Sequence, residues 1–108
     1  MSRRIFLLGS TGSIGRSTIE VVEHLREQHG EDAPRIVALS AGQNADLLLE
    51  QARLLGADLT AIASEDDRMT CCGEQAAATL VREHAREGDL VVAAIVGASG
   101  IAPVLTAI

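Results

Sequence analysis

Three glycines at steps of three, Gly9, Gly12 and Gly15, follow the apolar run IFLL and have hydroxyl side chains between them. A glycine turn lets a ligand approach the backbone without meeting a Cβ atom, and a helix that begins there points unpaired N–H groups at the ligand. Such a site favours a diphosphate. In this interpretation Gly9 makes the tight turn, Gly12 allows the close approach, and Gly15 lets the helix pack near the sheet.

The hydroxyl groups of this loop, on Thr11 and Ser13, add hydrogen-bond donors, and Ser13 is also placed to be the N-cap of the helix. The spacing is G-x-x-G-x-x-G rather than the G-x-G-x-x-G fingerprint, so a purely structural turn remains an alternative. The strand before the loop, the helix after it and a second strand–helix unit beyond favour a bound nucleotide.

The end of the second predicted strand bears on which nicotinamide dinucleotide binds. NAD-binding folds usually carry Asp or Glu there, about 20 residues past the loop, to bind the ribose 2′-hydroxyl. This chain has the segment SAGQN, from Ser40 to Asn44, without an acid. A 2′-phosphate meets no repulsion there and finds amide and hydroxyl donors, which favours NADP. The alternative is a plain turn with Asn44 as the N-cap of the next helix.

Apolar runs and helical periodicities alternate along the chain. Strands are predicted at 4–8, 35–40, 59–63 and 89–97. Helices are predicted after the glycine loop, over ADLLLEQARLLG, over 74–87 and, as a last one, from ASGIAPVLTAI. This alternation predicts an α/β fold with a Rossmann-like doubly wound parallel sheet in three layers, α/β/α, in which the first strand lies between the second and the 89–97 strand.

One connection does not fit this pattern. Only the residues from Ser64 to Met69 separate the third predicted strand from the segment TCCG. A parallel crossover needs roughly a dozen residues or more. We therefore do not expect TCC to be the next parallel strand of the sheet, unless residues are missing from this connection.

Composition sets broad limits on the function. The 108 residues fit a single domain, 1–108, and 47% of them are hydrophobic, with Phe6 as the one aromatic residue. The formal charge is -6 and the basic residues are scattered, so neither nucleic acid nor an anionic membrane is an expected partner. The apolar run after MSRR is too short for a signal peptide or a membrane span, so we expect a cytoplasmic protein.

Other groups that do chemistry in proteins are sparse here. Cys71 and Cys72 are adjacent and have no third cysteine, so we expect reduced thiols, with a vicinal disulfide or a redox role as the alternative. The acids at 65–67 have no histidine or second acidic site beside them, and we expect them to be solvated. The histidines lie in helix-like stretches without metal-ligand spacing: His24, His29 and His84. The sequence thus predicts no catalytic residue and no metal ligand in this chain.

Three segments occur in order along the chain, GSTGSIG, ALSAGQN and AAIVGASGIAPVLTAI, and the resemblance that they carry extends over nearly all of it. With them the sequence resembles the N-terminal NADPH-binding domain of the 1-deoxy-D-xylulose 5-phosphate reductoisomerase family. The resemblance implies an enzyme of non-mevalonate isoprenoid biosynthesis, which isomerises a phosphorylated sugar and reduces it with NADPH to 2-C-methyl-D-erythritol 4-phosphate. It also implies assistance by Mg or Mn and a homodimer.

The same resemblance implies a cofactor site in three parts around the turn at Gly9. The diphosphate and neighbouring ribose would contact Thr11, Gly12, Ser13 and Ile14, the 2′-phosphate end Gly42, Gln43 and Asn44, and the nicotinamide side Ala94 and Ile95. Gln43 stands where family members often carry Lys, which removes a possible cation for the 2′-phosphate.

The resemblance also indicates what this chain lacks. Family members carry an extra helix before the short strand that matches TCCG, and their metal-binding acids and substrate residues belong after the position of Ile108. We therefore expect a truncated cofactor domain that does not catalyse alone. Two alternatives remain: the cofactor domain of another NADP-dependent oxidoreductase, and a non-catalytic nucleotide-binding module.

Overall fold

The chain forms a sheet with helices on both faces, and the computed structural model describes residues 3–93, 96–97, 100–101 and 104–107. The strands are β1 (Arg4–Leu8), β2 (Arg35–Ala41), β3 (Leu59–Ile62), β4 (Cys71–Cys72), β5 (Leu90–Ala93), β6 (Val96–Gly97), β7 (Gly100–Ile101) and β8 (Val104–Ala107). The helices are α1 (Ser13–His29), α2 (Ala45–Leu55) and α3 (Ala76–His84), with a 3-10 turn at Gly30–Asp32.

The strand order in the main sheet is β4-β3-β2-β1-β5-β8. All pairs from β4 to β5 are parallel, and β8 runs antiparallel to β5. As predicted, β1 lies at the centre between β2 and β5, so the Rossmann-like fold class is confirmed. The carboxyl ends of β1, β2 and β5 consequently meet at one edge of the sheet, where Leu8 pairs with both Ser40 and Ala93.

The side chains of β1 alternate between two helical layers. Ile5 and Leu7 join the core cluster that contains residues of α1 and α2, whereas Phe6 joins the cluster that contains residues of α3. The helical contributions are Ile19 and Val22 from α1, Leu48 and Ala52 from α2, and Ala76 and Leu80 from α3. Both faces of the sheet are therefore buried, as expected for a parallel sheet built from apolar runs.

A shift in register between β1 and β2 fixes where β2 ends. Ile5 is paired with Ile36, but Phe6 is paired with Ala38, so Val37 is the extra residue of a bulge. After the bulge, Leu8 is opposite Ser40. This alignment places the backbone of Ser40 beside the turn that follows β1.

The prediction that TCC is not a parallel strand was wrong. β4 pairs in parallel with β3, with Cys71 opposite Ala61 and Cys72 opposite Ile62. The dozen-residue rule applies to a crossover that returns along a whole strand, whereas the two residues of β4 pair with the last two of β3. The chain thus needs to turn back only a short way. Reciprocal hydrogen bonds between the backbone N–H and Oγ1 of Thr60 and Thr70, at 3.0 and 3.3 Å, close this connection.

The predicted helix in ASGIAPVLTAI was also wrong, and the predicted strand 89–97 is divided. β5 ends at Ala93, β6 and β7 pair with each other, and β8 pairs with β5 from Leu90–Ala107 to Ala93–Val104. A strand edge leaves backbone N–H and C=O groups without partners, and β8 satisfies those of β5. Helical periodicity within the segment carries no information about this long-range demand.

The remaining elements follow the predictions closely. α2 ends at Gly56, whose φ of 70° is the left-handed conformation that a helix-terminating glycine adopts. α3 covers Ala76–His84, which is shorter than the predicted 74–87. Among the helices that the structure describes, none is both long and apolar enough to cross a bilayer.

Candidate functional site

The turn after β1 is fixed by the end of β2. Gly9 has a φ of 85°, a conformation that side chains with a Cβ rarely adopt. Its N–H and that of Ser10 both donate to the carbonyl oxygen of Ser40 at 2.9 Å. The N–H of Gly9 also lies 3.3 Å from Ser40 Oγ. Gly9 thus makes the tight turn, as predicted, and the buried Ser40 holds it in place.

Gly15 is required by the packing of α1 against this turn. A Cβ atom added at Gly15 would overlap the carbonyl oxygen of Gly9 and lie 2.7 Å from the Cα atom of Ser10. Both obstacles are backbone atoms, so a side-chain rotation cannot relieve the overlap. The predicted role of Gly15, close approach of the helix to the sheet, is confirmed.

Gly12 differs from both of these glycines. A Cβ atom there would meet one atom within 4 Å, the carbonyl oxygen of Gly9 at 3.8 Å, which is an ordinary contact. Its φ of -80° and ψ of 175° are accessible to any residue, and it is exposed. No contact within the described chain requires a glycine at this position. The space that the missing side chain leaves open faces solvent and is available to a ligand.

Helix α1 begins without a side-chain cap. Its N-cap is Gly12, and Ser13 is the first helical residue, so the prediction of Ser13 as the N-cap was wrong. The first hydrogen bond of the helix runs from the N–H of Arg16 to the carbonyl oxygen of Gly12 at 2.9 Å. Within the described residues, the N–H groups of Ser13 and Ile14 meet no acceptor. Such a helix end attracts an anion.

The segment after β2 lies at the same edge of the sheet and is open to solvent. Gly42, Gln43 and Asn44 are all exposed. Asn44 Oδ1 accepts a hydrogen bond of 3.3 Å from the N–H of Leu47, so Asn44 is the N-cap of α2. The capping role, which the sequence left as an alternative, is therefore real. It does not exclude ligand binding, because the cap uses the oxygen of the amide and not its NH₂ group.

The third predicted part of the site, Ala94 and Ile95, lies outside the described residues. What the structure shows is its neighbour in the chain, Ala93, which pairs with Leu8 directly before the glycine turn. The turn after β1 and the segment after β2 are brought together through Ser40.

Sequence reasoning missed one residue, Gln51 of α2. Its Nε2 atom donates a 3.0 Å hydrogen bond to the carbonyl oxygen of Ser10 across 41 positions of sequence. Gln51 is 8% exposed and Ser10 is fully buried. The signal was present, since a glutamine lies three positions after the buried Leu48 and hence on the buried face of α2. Gln51 joins the glycine turn to the second helix.

The described part of the chain offers no metal site near this turn. In the ranges that the structure describes, no three residues of the types His, Cys, Asp and Glu are placed to share a metal ion. Asp66, expected to be solvated, instead forms a 2.6 Å ion pair with Arg68, whose hydrogen bonds lower the pKa of Asp66 to about 2. Cys71 and Cys72 carry free thiols, and burial raises the pKa of the Cys71 thiol.

Comparison with known proteins shows the family to which the sequence is similar. The family model for 1-deoxy-D-xylulose 5-phosphate reductoisomerase matches residues 5–108. The reductoisomerase of Rhizobium meliloti (strain 1021) is 42% identical over 116 residues, covering 99% of this chain and 29% of the relative. That of Rhizobium rhizogenes (strain K84) is 42% identical, covering 97% of this chain and 28% of the relative.

Solved structures of the same enzyme have the same fold. The reductoisomerase of Zymomonas mobilis in complex with NADPH superposes with a TM-score of 0.67 at 27% identity, over 93% of this chain and 28% of that one. A structure of the enzyme in complex with magnesium has a TM-score of 0.66 at 27% identity, over 93% of this chain and 26% of that one. The chain thus spans less than a third of the length of these relatives. By the match of residues 5–108, it belongs to the 1-deoxy-D-xylulose 5-phosphate reductoisomerase family.

Proposed function

We propose that this chain is the NADPH-binding part of a 1-deoxy-D-xylulose 5-phosphate reductoisomerase, the enzyme that isomerises and reduces that sugar phosphate to 2-C-methyl-D-erythritol 4-phosphate. The observation that carries the proposal is Gly12, a glycine that no internal contact requires, at the uncapped start of α1. The NADPH complex of the Zymomonas mobilis enzyme, which shares the fold, supports the choice of ligand.

The diphosphate would bind at the start of α1. The N–H groups of Ser13 and Ile14 lack acceptors in the described chain and would donate to the phosphate oxygens, while the hydroxyl groups of Thr11 and Ser13 add further donors. No acid lies in the first turn of the helix to repel the phosphates. Bound NADPH supplies a hydride for the reduction. The part of this chain in that reaction is to hold the dinucleotide against the carboxyl edge of the sheet.

The 2′-phosphate would bind after β2. Gly42, Gln43 and Asn44 are exposed and carry no negative charge, and the NH₂ groups of the two amide side chains are donors. A neutral Gln43 gives a smaller preference for NADPH over NADH than a cation would. Ala94 and Ile95, the two residues after Ala93 in the sequence, are proposed for the nicotinamide side.

Metal and substrate would bind elsewhere in the full-length protein. The magnesium complex belongs to the related enzyme, and the described residues of this chain do not fit a metal, since they hold no group of three suitable ligands. We therefore derive no step through a metal ion here. By family resemblance we also propose a homodimer that acts in the cytoplasm, without a membrane or nucleic-acid partner.

Titration with NADPH and with NADH, followed by calorimetry, tests the cofactor assignment. We expect NADPH to bind more tightly than NADH. The sharpest variant is Asn44→Asp, because aspartate retains the cap on Leu47 but replaces the NH₂ donor with a negative charge.

The variant should retain its melting temperature and bind NADPH about tenfold more weakly, with NADH bound equally well or better, because a carboxylate after β2 can accept a hydrogen bond from the ribose 2′-hydroxyl. Ala78→Asp, an exposed position on α3, is the charge-matched control and should leave both affinities unchanged. Equal binding of the two cofactors by the unaltered chain would contradict the NADP assignment.

A further inference from the structure

A second pocket lies at the amino edge of the sheet, at the opposite end of the strands from the glycine turn. Its volume is about 460 Å³, and it is lined by Arg4, Arg35, Asp58, Leu59, His84 and Arg86 among others. β1 has five residues, so the pocket and the turn are separated by about 16 Å along the strand. The dinucleotide proposed above does not account for this pocket.

Two of the arginines stand side by side. Arg4 is the register partner of Arg35 at the start of two parallel strands. Ile5 and Ile36, the next residues, both face α1 and α2, so the two arginines share the α3 face of the sheet. In agreement, the Arg4 guanidinium lies 5.7 Å from the centre of the Phe6 ring, on that same face. Like charges on neighbouring strand positions oppose each other, which costs stability unless a negative charge is present.

A buried carboxylate, that of Asp89, contacts two of the arginines but does not cancel the positive charge of all three. Asp89 is 5% exposed and lies 3.8 Å from Arg4 Nε. It also accepts a 2.8 Å hydrogen bond from the N–H of Arg86 and so fixes the loop that carries the third arginine. Within the described ranges, no other carboxylate approaches the three guanidinium groups to within 4 Å. With Asp58 counted as well, three arginines face two acids.

We propose that this pocket binds a small phosphate-bearing anion, a diphosphate or the phosphate ester of a metabolite, at a site separate from the dinucleotide. The surplus positive charge is notable because the whole chain has a formal charge of -6. Guanidinium groups present paired N–H donors that match phosphate oxygens, and two of them held side by side on strands form a preorganised clamp. The volume exceeds that of a bare phosphate ion and leaves room for a substituent.

The test is a titration of the 108-residue chain with inorganic diphosphate, followed by ¹H–¹⁵N NMR. Because diphosphate also suits the start of α1, NADPH is added first in saturating amount. The amides of Val37, Leu59 and Arg86 should shift saturably, while those of Ser13 and Ile14 should not respond further. If NADPH does not bind, the two sites still report separately through their own amides, so a failure of the cofactor proposal is distinguishable from a failure of this one.

The variant Arg35→Gln with Arg86→Gln should weaken diphosphate binding at this pocket by about tenfold or more. The matched control, Arg26→Gln with Arg53→Gln, removes the same charge from exposed positions of α1 and α2 that do not line the pocket.

A stability measurement without diphosphate adds a second test. Arg35→Gln should unfold at an equal or higher urea concentration than the unaltered chain, because it removes the repulsion between Arg35 and Arg4. If the double variant does not fold, Arg86→Gln alone is titrated with diphosphate. This substitution keeps the hydrogen bond to Asp89, because the donor is the backbone N–H of Arg86. Shifts confined to Ser13 and Ile14, or equal weakening by both pairs of substitutions, would overturn the proposal.

Discussion

The three glycines of the turn differ in whether the protein's own structure requires a glycine at that position. At Gly9 and Gly15 the protein's own atoms impose the glycine, through a positive φ in the first case and through backbone overlap in the second. At Gly12 the nearest atom to an added Cβ is 3.8 Å away and the helix start is uncapped. The comparison shows that Gly9 and Gly15 are needed for the fold, whereas Gly12 leaves space beside the backbone that the fold does not use. Only Gly12 and the uncapped start of α1 therefore indicate a ligand.

The largest expected effect comes from adding a side chain at Gly15, where the fold has no room for one. Gly15→Val places branched carbon atoms against the backbone of Gly9 and Ser10, which cannot move without breaking the hydrogen bonds to Ser40. We expect a loss of unfolding free energy on the order of 4 kcal/mol or more, enough to leave much of the chain unfolded. Urea unfolding followed by circular dichroism measures it. A variant as stable as the parent would show that the packing of α1 is looser than the structure indicates.

A smaller effect is expected from Gln51, which supports the turn from a distance. Gln51→Met keeps the length of the side chain but removes the donor to the carbonyl oxygen of Ser10, a buried group. The expected loss is about 1–3 kcal/mol of unfolding free energy. NADPH binding should also weaken, since the turn is held less firmly. Gln28→Met, an exposed position on α1, is the control. If stability falls while NADPH affinity stays the same, Gln51 supports the fold alone and not the site.

The smallest effect is expected in the connection between β3 and β4, where Arg68 forms an ion pair with Asp66. Arg68 lowers the pKa of Asp66 to about 2 from the ordinary 3.8, so the folded state favours the ionised carboxylate. This contribution is present above pH 3.8 and is lost as the pH falls towards 2. Arg68→Gln should therefore lose less stability than the parent between pH 4 and pH 2, as measured by urea midpoints. Identical pH profiles would show that the pair contributes nothing.

The sequence was informative where structure follows from neighbouring residues. The first two strand–helix units, the turn at Gly9 and the end of α2 at Gly56 were all predicted, because apolar periodicity and glycine chemistry are local. The place of β1 between β2 and β5 was also predicted, from the general rules for alternating strands and helices, but two other long-range contacts were not. The pairing of β8 with β5 and the hydrogen bond from Gln51 to Ser10 depend on which segments meet in the folded chain. The cap of α1 was misplaced by one residue, since Gly12 and Ser13 are both acceptable caps by type.

The measurement closest to the central claim is NADPH binding by Gly12→Val. An added side chain at Gly12 has room within the protein but occupies the space proposed for the diphosphate. We predict a melting temperature within a few degrees of the parent, a change of about 1 kcal/mol or less, together with a loss of NADPH affinity of at least about tenfold. The control is Ala78→Val on the exposed face of α3. Unchanged affinity in a folded Gly12→Val variant would contradict the account, because it would show that no ligand approaches the backbone at this glycine.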